Sequence, residues 1–371
     1  MPWLSIVFWV FVGVVVCQMA FFLVFLLYYA LKNTSDLKPG NTLPLSVIVC
    51  AKNEAQNLKT NIPLLLEQSY QNFELILVND SSSDETLAIM EGFADINPNV
   101  KVVNVENVES FWGNKKYALT LGIKAATKSY LVFTDADCKP TSNRWLSHIS
   151  GSFSKTKRIV LGYGSYQRYK GSLINALIRF ETLLTAIQYF SYARIGLPYM
   201  GVGRNLAYHR DVFFENSGYM KHMDIMSGDD DLFVNSVATR TNVAIIDHPD
   251  SITVSKPKNN WKEWIAQKRR HVSTASYYKP IHQLVLGMFY TSQLMFILLS
   301  VLLLSFLFRW EIVLTLILFR FCLSILTYVK SASKLNEHGI TFLLPVLEVT
   351  LIISQFFIFI ANLISKPKHW N

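Results

Sequence analysis

Residues 130–138 read Tyr130-Leu131-Val132-Phe133-Thr134-Asp135-Ala136-Asp137-Cys138. Four apolar or β-branched residues run straight into a D-x-D pair. The first half has the composition of a strand buried on both faces. On an extended chain, side chains two apart share a face, so Asp135 and Asp137 can present two carboxylates to one hard cation through oxygen ligands. The same grammar occurs upstream. Phe73 to Val78 is apolar and closes on Asn79-Asp80, and Leu45 to Cys50 is a further apolar, β-branched run. Helical patterns separate these runs, over Asn57–Gln68 and Asn114–Thr127 and in a helix opened by Ser82-Ser83-Asp84-Glu85. With Lys101–Val105 as another strand, the alternation predicts βαβ units and a mostly parallel sheet. Carboxylates at the carboxyl ends of such strands face the crevice where open α/β sheets take ligands.

Around this segment the composition changes. The chain has 371 residues, 51% hydrophobic and 16% charged, against roughly 25% charged in ordinary soluble domains. No charged residue occurs from Met1 to Leu31 or from Ile281 to Phe308. Both stretches exceed the roughly 20 residues that cross a bilayer as a helix. Ile312–Val329, which carries Arg320, and Ile340–Ile364, which carries Glu348 and Pro345, are further candidates. The first span lacks a basic n-region and is too long for a signal peptide, so an uncleaved anchor is expected. The expected organisation is an anchor over 1–32, a catalytic domain over 33–280 and a C-terminal membrane region over 281–371 with two or three helices. Lys32 and Lys38 follow the first span, and Lys262, Lys268, Arg269, Arg270 and Lys279 precede the second. The positive-inside rule then puts the polar middle in the cytoplasm, at a cell (inner) membrane crossed several times. Lys366 and Lys368 would fall outside if all four spans cross. The net charge of +9 reads as topology and attraction to anionic lipid. No basic stripe with interleaved aromatics points to nucleic acid. Cys17, Cys50, Cys138 and Cys322 form no C-x-x-C pair, which argues against structural zinc or a disulfide framework.

Two more motifs complete the candidate chemistry. Gly228-Asp229-Asp230-Asp231 packs three like charges together, which should raise at least one carboxyl pKa and suit it to general-base work. It also reads as a helix start, with acids favoured by the dipole. Gln267 and Arg270 lie three apart on a helical stretch, so amide and guanidinium face one way and can clamp a diphosphate. The plainer alternative for that stretch is a basic helix at lipid headgroups, which is the reading for Lys268 and Arg269. For Asp80 the plainer alternative is a turn aspartate. Leu173–Tyr192 reads either as an amphipathic helix on the membrane face or as a core helix.

The ordered set Val78-Asn79-Asp80, Asp135-Ala136-Asp137-Cys138, Gly228-Asp229-Asp230 and Gln267-x-x-Arg270 resembles the membrane-bound family 2 glycosyltransferases of GT-A fold, the group of cellulose, chitin and hyaluronan synthases. Ala51-Lys52-Asn53-Glu54, Gly113–Leu119 and Gly201–Arg210 extend the likeness to about 230 residues. The resemblance implies an α/β GT-A domain with transmembrane helices. It implies an inverting transfer from a nucleotide-diphosphate sugar, UDP before GDP, to a lipid-linked or membrane-associated acceptor in cell-envelope glycan or glycolipid synthesis. It implies a divalent cation, Mn²⁺ or Mg²⁺, on Asp137 with Asp135. Ala51, Glu54, Asp80, Lys115, Asp135, Gln267 and Arg270 would bind the nucleotide sugar. Asp230 would be the base, with Asp229 as the alternative register, and Gly203, Arg204 and His271 would face the acceptor. Processive members end the last motif in Trp, where this chain has His271, so a processive polysaccharide synthase is the lesser expectation. A polyprenyl-phosphate sugar synthase is a close alternative. A transporter with a nucleotide-binding domain, resting on Arg320 and Glu348 as intramembrane charges, is a remote one.

Overall fold

The computed structural model describes residues 2–33, 42–106, 115–225 and 227–365. Lys38, Gly113, Asn114, Lys366 and Lys368 lie outside the described residues. The chain forms two compact units, one from 42–167 with 196–257, the other from 2–33, 168–195 and 258–365.

The first unit is the α/β unit. Strands β1 (Leu45–Ala51), β2 (Phe73–Asp80), β3 (Val100–Val105) and β4 (Tyr130–Asp135) alternate with helices α2 (Ala55–Leu66), α3 (Thr86–Ile96) and α4 (Lys115–Ala125); α1 is in the other unit. The chain continues through β5 (Lys139–Pro140), α5 (Trp145–Ser152), β6 (Ile159–Leu161) and β7 (Gly164–Tyr166). After the excursion into the other unit come β8 (Leu206–His209), α7 (Arg210–Glu215), α8 (Asp231–Val237), β9 (Val243–Ile245) and β10 (Thr253–Ser255). The main sheet runs β3-β2-β1-β4-β8-β6-β9, and β5-β10-β7 form a small second sheet. The strands β1, β2, β3 and β4 are mutually parallel, and β8 is antiparallel to both β4 and β6. Every residue of β1 is buried, as a central strand covered on both faces requires. Register puts Ala51 opposite Asn79 and Cys50 opposite Asp135, so Asp80 and Asp135 emerge at the same edge of the sheet. At the opposite edge Glu74, 5% exposed, accepts from Ser46 Oγ at 2.7 Å, Lys101 Nζ at 2.9 Å and Thr127 N at 2.6 Å. Burial alone would raise its pKa, but these bonds outweigh it and bring the carboxyl down to about 2.

The second unit is helical. It holds α1 (Pro2–Phe25), continued by a π-helical turn over Leu26–Ala30, then α6 (Leu173–Arg194), α9 (Trp261–Thr274), α10 (Pro280–Ser305), α11 (Trp310–Lys334) and α12 (Leu344–Ile364). Among the described residues four helical segments are long and apolar enough to cross a membrane: Pro2–Ala30, Pro280–Ser305, Trp310–Lys334 and Thr341–Ile364. Residues 168–195 and 258–280, assigned to the polar middle by composition, pack with these helices, because α6 buries most of its length against them. That burial, with Arg179 bound to Glu337 at 2.5 Å, is the behaviour of a core helix.

Arg320 and Glu348 are partners. The guanidinium is 1% exposed and bonds both carboxylate oxygens of Glu348, at 2.7 and 2.8 Å. Gln18 Oε1 accepts a further bond from Arg320 at 2.8 Å, and Tyr328 and Gln293 donate to Glu348. Charges that read as a possible transport path are therefore joined as a helix-to-helix clamp. Removing one member leaves its partner buried and unpaired, at a cost of about 3–5 kcal/mol. Arg320→Leu is expected to lower the thermal midpoint in detergent by many degrees, and Arg320→Leu with Glu348→Leu to recover most of it; a double variant no better than the single would show that the pair does not clamp the helices.

Candidate active site

Each site carboxylate of the α/β unit is set by a local rule. Asp80 and Asp135 are the last residues of β2 and β4. Asp137 follows in the tight turn after β4, where Cys138 N donates to Asp135 O at 3.0 Å and Cys138 Sγ lies 3.4 Å from Asp137 Oδ1. Gly228, at φ +95°, turns the chain into Asp229 and Asp230, a backbone conformation that a side chain would strain. Asp230 then caps α8, accepting from Asp231 N at 2.7 Å. Its other oxygen accepts from Gly203 N at 2.6 Å. The helix-start and acid-cluster readings of this run thus describe the same residue.

Lys115, at the start of α4, joins the pieces. Its Nζ is 2.7 Å from Asp135 Oδ1 and 3.3 Å from Asp229 Oδ2. Burial would lower its pKa, but Asp135 and Asp229 hold it well above the usual lysine value. Its charge also acts to lower Asp80, Asp137 and Asp230. Lys115, Asp135, Asp229, Asp230, Gly203 and Tyr219 line one small cleft, with Cys50 and Tyr208 behind them.

The remaining carboxyls are under-compensated. Burial raises the pKa of Asp80 and Glu54, and for Asp137 the Asp135 charge adds to it. Asp230 is pushed up to about 8 by burial, then by the charges of Asp229 and Asp231. Ligand atoms of Asp135, Asp137 and Cys138 all fall within 4.8 Å of one another. Two carboxylates at that spacing, one of them raised for want of positive charge, fit a hard divalent cation. The Cys138 thiol is buried and its pKa is raised by burial and by Asp137, so it stays a neutral packing group.

Glu54 is the residue before α2; its backbone N donates to Thr86 Oγ1 at 2.8 Å and its carboxylate accepts from Asn57 at 2.5 Å. Ala51 is a buried strand end. Arg204 donates to Ser255 Oγ at 2.8 Å and Ser165 O at 3.1 Å, with its guanidinium 4.1 Å above the Tyr166 ring. Beside it Asn205, 1% exposed, accepts from Trp145 Nε1 and donates to Tyr163 O and Ser251 O. Gly162 gives that amide room, since a Cβ there would lie 2.4 Å from it. Asn205 and Tyr208 fall within the Gly201–Arg210 stretch, but no sequence pattern singles them or Tyr219 out; contact reveals them. Gln267, Arg270 and His271 lie on α9, in the helical unit. On the same helix Lys268 binds Glu181 at 2.5 Å, and Arg269 bonds Asn362 at 2.9 Å. Those two basic residues are used in holding helices together.

The sequence profile of glycosyl transferase family 2 matches residues 46–214, the stretch that builds β1 through β8. The chain carries a family 2 glycosyltransferase domain. It is 31% identical to an uncharacterized glycosyltransferase of Haemophilus influenzae over 33% of this chain and 36% of that protein. It is 29% identical to the 4,4'-diaponeurosporenoate glycosyltransferase of Staphylococcus haemolyticus, over 34% of this chain and 33% of the other. The chain thus spans about a third of the length of these curated relatives. Among solved structures, a mannosyltransferase of Pyrobaculum calidifontis in complex with GDP-Man and Mn²⁺ superposes with a TM-score of 0.56 at 19% identity, covering 87% of this chain and 98% of the other. The fold is therefore GT-A-like, an α/β sheet domain accompanied by apolar helices.

The raised Asp230 has a linkage consequence. Its folded pKa lies above the value of about 3.9 for a free aspartate, so between pH 4 and 8 the folded state binds the extra proton. Stability should fall as pH rises through that window. With divalent ions chelated, Asp230→Asn is expected to flatten the dependence of thermal midpoint on pH, with the largest gain over the parent near pH 8 and none near pH 4. Parallel pH profiles would show that Asp230 titrates as an ordinary surface acid.

Proposed function

We propose that the chain is an inverting glycosyltransferase that moves a sugar from a nucleoside diphosphate sugar to a hydroxyl of a lipid-linked or membrane-associated acceptor, in the making of cell-envelope glycan or glycolipid. The observation that carries this reading is the cleft in which Lys115 draws Asp135 and Asp229 together beside Asp230, at the carboxyl edge of a family 2 sheet. In this reading Asp80 takes the nucleoside, Asp135 and Lys115 the sugar diphosphate, and Asp137 with Asp135 a divalent cation. When bound, such an ion supplies charge neutralisation to the departing diphosphate. Gly203 and Arg204 are assigned to the acceptor side by their motif.

The acceptor O–H gives its proton to the Asp230 carboxylate. Its oxygen attacks the anomeric carbon from the face opposite the diphosphate, and the C–O bond to the leaving nucleotide breaks as the new one forms. An Asp230 pKa near working pH suits a general base. The Gly203 N–H and the α8 amide hold that carboxylate in one orientation, so little reorganisation accompanies proton transfer. The apolar helices support a multi-pass protein of a cell membrane, and the basic residues flanking them favour a cytoplasmic α/β unit.

A donor screen of the purified full chain with Mn²⁺ or Mg²⁺, reading released UDP or GDP, identifies the nucleotide. Asp230→Asn should cut kcat by about 10²–10⁴-fold with nucleotide affinity nearly unchanged, and Asp137→Asn should abolish metal-stimulated turnover. An Asp230→Asn enzyme that keeps most of its rate would replace the hydroxyl acceptor by a lipid phosphate, which needs little help from a base. No nucleotide release from any donor would remove the enzymatic reading.

A further inference from the structure

The α/β unit holds a second cluster of ligand-type side chains that the proposed chemistry does not use. His148 lies on α5, and His248 and Asp250 flank Pro249 at the short 3₁₀ turn Pro249–Ser251 that leads into β10. The two imidazoles stack with centroids 4.3 Å apart and planes 21° apart. His148 Nε2 and His248 Nδ1 face the same oxygen, Asp250 Oδ2, at 3.9 and 3.8 Å. One ligand atom from each of the three residues falls within 4.8 Å of the others.

Two observations point to a ligand. His148 is 4% exposed, yet its Nε2 has no hydrogen-bond partner, an arrangement that buried polar atoms normally avoid. Meanwhile the Asp250 carboxylate is already bound to a cation, the Arg144 guanidinium, whose side chain is 57% exposed and free to swing away. Ligands at 2.0–2.1 Å around a tetrahedral ion stand roughly 3.4 Å apart. The two imidazole-to-carboxylate spacings need to close by about half an ångström, and the stacked rings must turn so that both lone pairs meet the ion.

We propose that His148, His248 and Asp250 bind one divalent transition ion of the zinc class, separate from the D-x-D site. Two imidazoles and one carboxylate are borderline and hard donors that suit Zn²⁺ and disfavour Mg²⁺. The half-exposed side of the cluster leaves the fourth position to water. Binding displaces Arg144 from Asp250 and exchanges the 3.1 Å bond from Asp250 N to His248 Nδ1 for coordination. The ion would staple α5 to the turn before β10. Since β10 pairs with β5, directly after Asp137, the staple braces the backbone that carries the D-x-D pair.

The test uses the full chain in detergent, stripped of metal and titrated with Zn²⁺ in excess Mg²⁺, with affinity read by competition against a chromophoric chelator. The parent and Asp137→Asn are expected to bind one equivalent at micromolar affinity or tighter, with a raised thermal midpoint. His148→Gln and His248→Gln should weaken binding at least tenfold. Arg144→Ala removes the competing cation and should tighten binding several-fold, a gain that misfolding cannot mimic. Absence of Zn²⁺ binding in the parent, its loss in Asp137→Asn, unchanged affinity in His148→Gln, or an Arg144→Ala protein that binds no more tightly would each overturn the proposal.

Discussion

The α/β unit depends on one ammonium group. Lys115 sits among carboxylates from β4 and from the turn before α8, paired with Asp135 and Asp229 and within electrostatic reach of Asp80, Asp137 and Asp230. Taking several acids out of water side by side is costly unless positive charge accompanies them. Lys115, joined by Arg204 at Asp135 and Asp137 and by Lys52 at Asp80, offsets only part of that cost. The remainder appears as raised pKa values at Asp80, Asp137, Glu54 and Asp230. A cleft with surplus negative charge and organised donors is predisposed to cations and to ligands that bring cations with them. Structural stability and ligand preference have here the same physical origin.

The helical unit solves a related problem with other residues. An arginine in an apolar bundle is tolerable when its donors are matched, and Arg320 is matched by Glu348 and Gln18, with the Phe22 and Phe296 rings 4.8 Å from the guanidinium carbon. The members come from α1, α10, α11 and α12, so the network fixes which helices neighbour one another where apolar surface alone discriminates poorly. Arg179–Glu337 and Lys268–Glu181 extend the same device to α6 and α9. Arg320, Glu348, Arg179, Glu337, Lys268 and Glu181 are thus used in packing.

Much of the fold was legible in order and type. Apolar runs ending in Asp80 and Asp135 became parallel strands whose register brings those residues to one edge. The longest apolar stretches became helices. Boundaries moved where local signals compete. Arg158–Tyr163 reads as a strand, but only Ile159–Leu161 extends in the main sheet, because Gly162 N bonds Asn205 O and Asn205 bonds Tyr163 O at its end. Leu173–Tyr192 could be read either way because its buried face is set by neighbours that lie far along the chain.

Which segments extend, which coil, and which acids stand at strand ends is written in the residue order, since these follow from the period of apolar residues and from turn chemistry within a few positions. Only the folded chain shows that Lys115 bridges Asp135 and Asp229, that Asp230 carries a raised pKa, that Gln18 meets Arg320, and that His148 faces His248 and Asp250 across a hundred residues. Such groups interact through short-range bonds and through burial. Both depend on distance in space, and distance in space leaves no period in a sequence.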